Sequence, residues 1–364
     1  MNVVEKAAFL GEAGRWDSCG GMSFTRSISG SICASESEAG ECCRLFKTLM
    51  TNDCAYDCRY CQNSAHRAKQ PVSYEPKELA KVFMHLYESN LADGLFLTSG
   101  IAADPDRTTE KMLEAVRLVR IARGFRGYIH FKILPGTSRE LVRQASEYAN
   151  RLSVNMEAPS KSRLSELSSV KDFRSDIIRR QAWIREFRPS SGQTTQMIVG
   201  AGSESDMEIL KAAAWEYDRL GVARVYYSAF TPIAGTPLES RDKTPSDRER
   251  RLYCADFLLR RYGIGLGEIS EIADGGNLPL GDPKVHLALR HFDGQVDLNS
   301  ASYEDLVRVP GIGLKSAQAI MELRDRGVRV TRRVLGRMGV SLSRAMPFLK
   351  LDGMAQSRIN DGYN

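Results

Sequence analysis

RLFKTLMTNDCAYDCRYCQN, residues 44–63, joins the two readings on which the fold turns. Its first eight residues (44–51) are an apolar run ending in a polar loop, the pattern of a buried strand. The loop holds Cys54, Cys58 and Cys61 in C-x3-C-x2-C spacing, with Tyr60 just before the last cysteine. Outward from this stretch the same rhythm repeats. Strand patterns at 94–100, 128–136, 151–157, 194–202 and 223–230 alternate with helical patterns at 76–90, 108–124, 138–149, 172–187 and 205–220. Ser205 and Glu208 are spaced as a capping box opening the last of these helices. Six strands alternating with helices predict an α/β fold with a parallel sheet. A doubly wound sheet and a closed or partly closed (β/α) barrel fit this pattern equally. In both, chemistry falls at the carboxyl ends of the strands, where the cysteine loop lies.

Three thiolates on one short loop can hold three irons of a [4Fe–4S] cluster, leaving the fourth iron open to chelate a small molecule. A zinc site with His66 as fourth ligand is the competing reading, although zinc ligands usually come as paired C-x2-C or Cys/His sets. Seven of the eight cysteines lie within the first 61 residues, an arrangement that points to metal or redox chemistry rather than a disulfide scaffold. Cys19, Cys33, Cys42 and Cys43 sit in Gly/Ser-rich, loop-like sequence. They read either as a second Fe–S or metal site or as structural or substrate-handling thiols. Cys254, inside an apolar helical pattern, reads as a small core residue.

The chain has 364 residues, 42% hydrophobic and 26% charged, which excludes disorder as its main state and leaves room for two domains. No apolar run approaches the ~18 residues of a spanning helix, and the first residues lack the basic-then-apolar order of a signal peptide. The expectation is a cytoplasmic protein without a membrane partner. The net charge is +6, and residues 301–350, with ten basic and four acidic side chains, carry all of it. Such a block suits a polyanion partner or a solvated basic surface.

Within that block, SYEDLVRVPGIGLKSAQAIMELRDRG (302–327) reads as two helices around a tight Val309-Pro310-Gly311-Ile312-Gly313 turn, with Asn299 or Ser300 as the first cap. It resembles a helix-hairpin-helix DNA-binding motif. Gly311 and Gly313 would bare backbone amides for a phosphate and Lys315 would add charge nearby, a contact without sequence specificity. Residues 331–349 read as a second, degenerate hairpin around Gly339. Gly313-Leu314-Lys315-Ser316 is no P-loop, because the spacing is short and a helix precedes it.

The cysteine loop after the first strand of a βα repeat resembles the radical S-adenosylmethionine (SAM) superfamily over about residues 42–270. That resemblance implies a partial (β/α)6 barrel, a [4Fe–4S] cluster on Cys54, Cys58 and Cys61, and SAM on the open iron. It implies SAM cleavage to a 5′-deoxyadenosyl radical, with Tyr60 toward the adenine. Thr98-Ser99-Gly100 stands where the superfamily has a Gly-Gly-Glu-like turn, so only Ser99 and Gly100 carry over. Asn155 and Glu157 alternate onto one strand face and suit ribose hydroxyls, unless Glu157 caps the next segment. Gly200 allows close backbone approach, or makes a plain turn. Tyr226, Ser228 and Phe230 resemble an adenine-side segment, or core packing. No catalytic acid or base stands out.

The combination resembles a bacterial and archaeal family described as DNA modification or repair radical SAM proteins. Its implied partners are DNA, an electron donor such as ferredoxin or flavodoxin, and a uracil-DNA glycosylase-like protein. The alternative is action on RNA or another substrate, with the C-terminal part as a tether or protein-contact module. The expected organisation is a cysteine-rich segment (1–43), the barrel and linker (44–292), a small all-α helix-hairpin-helix domain (293–350) and a flexible tail (351–364).

Overall fold

The computed structural model describes residues 1–17, 31–36, 42–351 and 354–355. The chain divides into two compact units, Met1–Glu204 with Lys211–Glu249, and Ser205–Leu210 with Arg250–Asn364.

The first unit opens with α1 (Val3–Ala13), which begins at an Asn2/Glu5 capping box. Seven strands follow in sequence order across one sheet: β1 (Ile32–Glu36), β2 (Cys42–Leu49), β3 (Gly94–Thr98), β4 (Tyr128–Lys132), β5 (Arg151–Ser153), β6 (Gln193–Val199) and β7 (Val222–Ala229). β1 is antiparallel to β2, and every later neighbour is parallel. The sheet curls into a partial barrel, one of the two arrangements that the βα rhythm fits and the one that the resemblance implies, with one added edge strand. The connections carry α2 (Pro76–Glu88), α3 (Pro105–Arg117), α4 (Arg139–Tyr148), α5 (Lys161–Leu167), α6 (Arg179–Phe187) and α7 (Asp206–Leu220), and α8 (Ser246–Tyr262) follows β7.

Two boundaries differ from the sequence pattern for local reasons. α3 starts at Pro105 rather than 108, because Asp104 accepts a hydrogen bond from the Arg107 N–H (2.9 Å) and Pro105 suits the first turn. β5 stops at Ser153, and Glu157 adopts a left-handed φ of 64° that no regular strand accommodates. Inside the barrel, Lys47, Phe96 and His130 are register partners across β2, β3 and β4. The Phe96 and His130 rings meet edge-on at 4.4 Å, and His130 Nε2 pairs with Ser153 Oγ at 2.8 Å. Burial, then the charges of Arg151 and Lys132, push the His130 pKa well below its ordinary value, so the ring is neutral.

The second unit is mainly helical. After α8 come α9 (Leu266–Glu271), α10 (Pro283–His291), β8 (Val296–Asp297), α11 (Tyr303–Arg308), α12 (Leu314–Asp325), α13 (Arg332–Arg337), α14 (Leu342–Ala345), β9 (Leu349–Leu351) and β10 (Met354–Ala355). The short strands form a sheet in the order β10-β9-β8. Leu298, Leu306, Ile312, Ile320, Leu335 and Ala345 share one core with Ala288 of α10, so residues 283–291 fold with the hairpins. The cap of α11 is Ser302, whose hydroxyl accepts from the Asp305 N–H (3.0 Å), not Asn299 or Ser300. Asn299 instead bonds both backbone groups of Val330. The Ser205/Glu208 capping box is formed in both directions.

Candidate active site

The cysteine loop leaves β2 and is pinned by its polar residues. Asn52 accepts from the Val72 N–H (2.7 Å) and donates to the Gln70 carbonyl (3.0 Å). Asp57 accepts from the Ser168 hydroxyl and from the Ser169 hydroxyl and N–H. Although burial opposes its charge, these bonds pull the Asp57 carboxyl down to about 2. Gly100 packs against the loop. A Cβ there would lie 2.4 Å from the Asp53 carbonyl oxygen and 3.1 Å from Cys54 Cβ.

Cys54, Cys58 and Cys61 are free thiols and line one cavity of about 160 Å³. Tyr60, Ser99, Gly100, Asn155 and Glu157 line it too. Gly200, the remaining cofactor candidate from sequence, does not. Its carbonyl accepts from Arg241 Nε (3.0 Å), and a Cβ would strike Thr244 Oγ1, so its φ of 85° serves a tight turn. Ser228 and Phe230 face the cavity, while Tyr226 is not among the lining residues.

Glu157 gathers the polar side of the cavity. It accepts from Lys171 Nζ (3.1 Å), Asn155 Nδ2 (3.5 Å) and the Tyr60 hydroxyl. Lys171, which no sequence pattern singles out, is almost fully buried beside Cys58. Burial opposes its charge, but Cys58 and Glu157 outweigh this and raise its pKa. Burial pushes the Cys58 thiol up against the pull of Lys171. Burial, then Cys58 itself, pushes Cys61 up to about 12. Thiols so held give up their protons when a metal binds.

Among the described residues no three His, Cys, Asp or Glu side chains are arranged to hold a single metal ion. His66 is exposed and is not among the residues lining the cavity. The three thiols instead line one cavity, a donor set suited to a cluster that takes one thiolate per iron. Ser99 Oγ is buried on the same cavity without a hydrogen-bond partner, and Lys171 offers a compensating positive charge. The residues present therefore fit a cluster with a polar ligand on it. The second metal site finds no such support. Cys33 is disulfide-bonded within β1, and a disulfide sulfur does not ligate. Cys42 and Cys43 are free thiols, and Cys19 lies outside the described residues.

In the second unit the hairpin glycines divide. Gly311 has φ 87°, and a Cβ would lie 2.5 Å from the Ser341 carbonyl oxygen, so it is needed where the two hairpins pack. Gly313 caps α12 without any side-chain hydrogen bond, and a Cβ there would meet only Tyr262 Oη at 3.8 Å. The first-turn amides of α12 are left without an intrahelical partner, and Lys315 beside them is exposed.

Residues 48–215 match the Radical SAM superfamily, and residues 292–334 match the helix-hairpin-helix motif. No curated protein matches the chain by sequence. Among solved structures, HydG, a maturase of the [FeFe]-hydrogenase, aligns over 80% of both chains at 12% identity with a TM-score of 0.50. Methylornithine synthase (PylB) aligns at 18% identity over 59% of this chain and 61% of its own, with a TM-score of 0.47. HydG from Carboxydothermus hydrogenoformans aligns at 13% identity over 66% of this chain and 59% of its own, again with a TM-score of 0.47. The chain thus spans about six tenths of the length of the latter two. It carries a radical SAM domain, of a superfamily whose members are enzymes, followed by a helix-hairpin-helix motif. Among the described residues no helix is long and apolar enough to cross a membrane.

Proposed function

We propose that this protein is a radical SAM enzyme that modifies or repairs DNA. The observation that carries the reading is the shared cavity, lined by all three loop thiols and five of the six cofactor candidates. Cys54, Cys58 and Cys61 would each hold one iron. Bound there, the cluster and SAM supply a 5′-deoxyadenosyl radical for hydrogen abstraction. Ser99 has a free hydroxyl to offer the cofactor, and Gly100 keeps the loop close to the end of β3. Asn155 and Glu157 present polar atoms suited to ribose hydroxyls, and Tyr60 stands with them toward the adenine. Lys171 holds Glu157 in place and offsets negative charge beside Cys58.

DNA as substrate is supported by the uncapped start of α12, whose amides suit a phosphate oxygen, and by the basic balance of 301–350. The contact carries no base information, so binding is expected without sequence preference. An electron donor such as ferredoxin or flavodoxin, and a uracil-DNA glycosylase-like protein, are the proposed partners. Fluorescence anisotropy of the intact chain with a labelled duplex at several salt concentrations tests the DNA part. Salt-dependent binding indifferent to sequence is expected. No binding even at low salt would make the second unit a protein-contact module.

A further inference from the structure

Behind the hairpin turn of the second unit lies a buried cation with no acidic partner. Lys284, in the first turn of α10, is only 7% exposed. Its Nζ donates to the Ile312 carbonyl (2.7 Å) and sits over the Tyr262 ring, 4.5 Å from the centroid. Among the described residues no carboxylate pairs with it. The charged groups that meet α10 are paired with one another: Asp282 with Arg344 of α14, His291 with Asp305 of α11, and Arg290 with Glu271 of α9. His286 holds the Leu280 carbonyl. Burial alone acts on the Lys284 ammonium, and it pulls the pKa down to about 8. A carbonyl and a ring face offset the charge only in part, and a buried cation short of a counter-charge is costly.

The turn that Lys284 grips is the one proposed above to meet a phosphate. The Ile312 carbonyl and the Gly313 N–H belong to one peptide unit, so an ammonium on the oxygen polarises the N–H toward an acceptor on the far side. Among the described residues no acceptor meets that N–H. The Tyr262 hydroxyl, also without a hydrogen bond among those residues, lies 3.8 Å from where a Gly313 Cβ would stand. An amide, a hydroxyl and a buried cation thus converge on one turn.

We infer that Lys284 and Tyr262 complete a phosphodiester site at the hairpin: Lys284 as the buried counter-charge that orients and polarises the Ile312–Gly313 peptide, Tyr262 as a hydroxyl donor beside it. The inference rests on the DNA reading above and assigns it two residues outside the hairpin. Lys284 acts through the peptide and is a positioning residue, whereas Lys315 is exposed and adds only screened charge. A bound phosphate supplies the missing counter-charge, so binding favours the protonated ammonium. By linkage, affinity falls as pH rises through the Lys284 value of the free protein.

The test is a duplex titration of the intact chain by fluorescence anisotropy, at fixed salt, from pH 7 to 9. Wild-type affinity should fall at least about threefold across that range. Phosphodiesters do not titrate there, and burial pushes the Tyr262 hydroxyl above its ordinary value. Lys284→Met, which keeps the length and removes the charge, should bind about tenfold more weakly at pH 7 and show a flat profile. Tyr262→Phe keeps the ring under the ammonium, and should lose about threefold with the pH dependence intact. Denaturant melts should find Lys284→Met at least as stable as the wild type, since it removes a buried cation. If that variant does not fold, the wild-type profile and Tyr262→Phe decide the matter. A flat wild-type profile would overturn the inference. So would a decline that Lys284→Met shares, or Lys284→Met binding as tightly as the wild type at pH 7. Tyr262→Phe binding like the wild type would overturn the part given to the hydroxyl. In each of these cases the wild type still binds. A wild type that binds no duplex even at low salt would overturn the DNA reading itself, and this inference with it.

Discussion

The cavity of the first unit and the hairpin of the second offer polar groups in opposite ways. Around the cavity most donors and acceptors are already committed. Glu157 is shared by Lys171, Asn155 and Tyr60, and Asp57 and Asn52 are saturated by the chain around them. At the start of α12 the amides are uncapped, and the nearby lysine is exposed. A committed network fixes geometry, so removing one member fails steeply. An open helix start adds independent, salt-screened increments. The contrast suits the function proposed above, in which one site positions and one surface holds.

The sharpest way to break the comparison is at the cavity. Replacing Cys58 with Ala should abolish both the roughly 400 nm absorption of a reconstituted Fe–S protein and all SAM cleavage. Retention of either would show that the loop does not hold the cluster.

The next largest effect is expected inside the hairpin. Gly311→Ala forces a Cβ onto the Ser341 carbonyl at a positive φ, and should cost about 2–4 kcal/mol of stability. Gly313→Ala meets open space at an ordinary φ and should cost at most about 1 kcal/mol. Denaturant melts of the two variants separate packing from ligand contact. Equal losses would remove the distinction drawn between the glycines.

A smaller effect compares two buried carboxylates of the first unit. Glu157 has Lys171 beside it, whereas Glu216 accepts from the Gln181 amide (2.9 Å). Burial, only partly offset by that bond, pushes Glu216 up to about 8. Its folded pKa therefore exceeds the ordinary 4.5, so its contribution is fully present below that value and lost as pH rises through about 8. Glu216→Gln should be more stable than wild type at pH 8.5, by about 1 kcal/mol or more, and should flatten the decline between pH 5 and 8. Parallel stability curves for the two proteins would contradict this.

The smallest effect belongs to the hairpin surface. Lys315→Ala should leave stability unchanged and reduce the slope of log K against log salt for duplex binding by about 0.9. An unchanged slope would take Lys315 out of the interface.

What could be read from the sequence was whatever is written in short windows. The six parallel strands, the cysteine spacing, the Ser205/Glu208 box and the Gly311–Gly313 turn each lie within a few residues. Lys171 was invisible because its partners Glu157 and Cys58 are 14 and 113 positions away, brought together only by the tertiary fold. The turn at 14–17 was missed likewise, since its hydrogen bonds reach Lys47, Lys132 and Gln196 on three different strands. Gly200 shows the converse. A glycine-rich turn at a strand end carries the same local pattern whether it cradles a ligand or its own neighbour Thr244. α1 did carry a local signal, the Asn2/Glu5 box, weakened by apolar residues on several faces.

The central claim joins the cavity's chemistry to a nucleic-acid substrate, and one measurement addresses both. The intact chain, reconstituted anaerobically with iron and sulfide and supplied with reductant and SAM, is assayed for 5′-deoxyadenosine with and without duplex DNA. The expected result is formation in both cases, faster with DNA, with a covalent change in the digested nucleosides and none of it in Cys58→Ala. No 5′-deoxyadenosine from a protein that has taken up a full cluster would contradict the account.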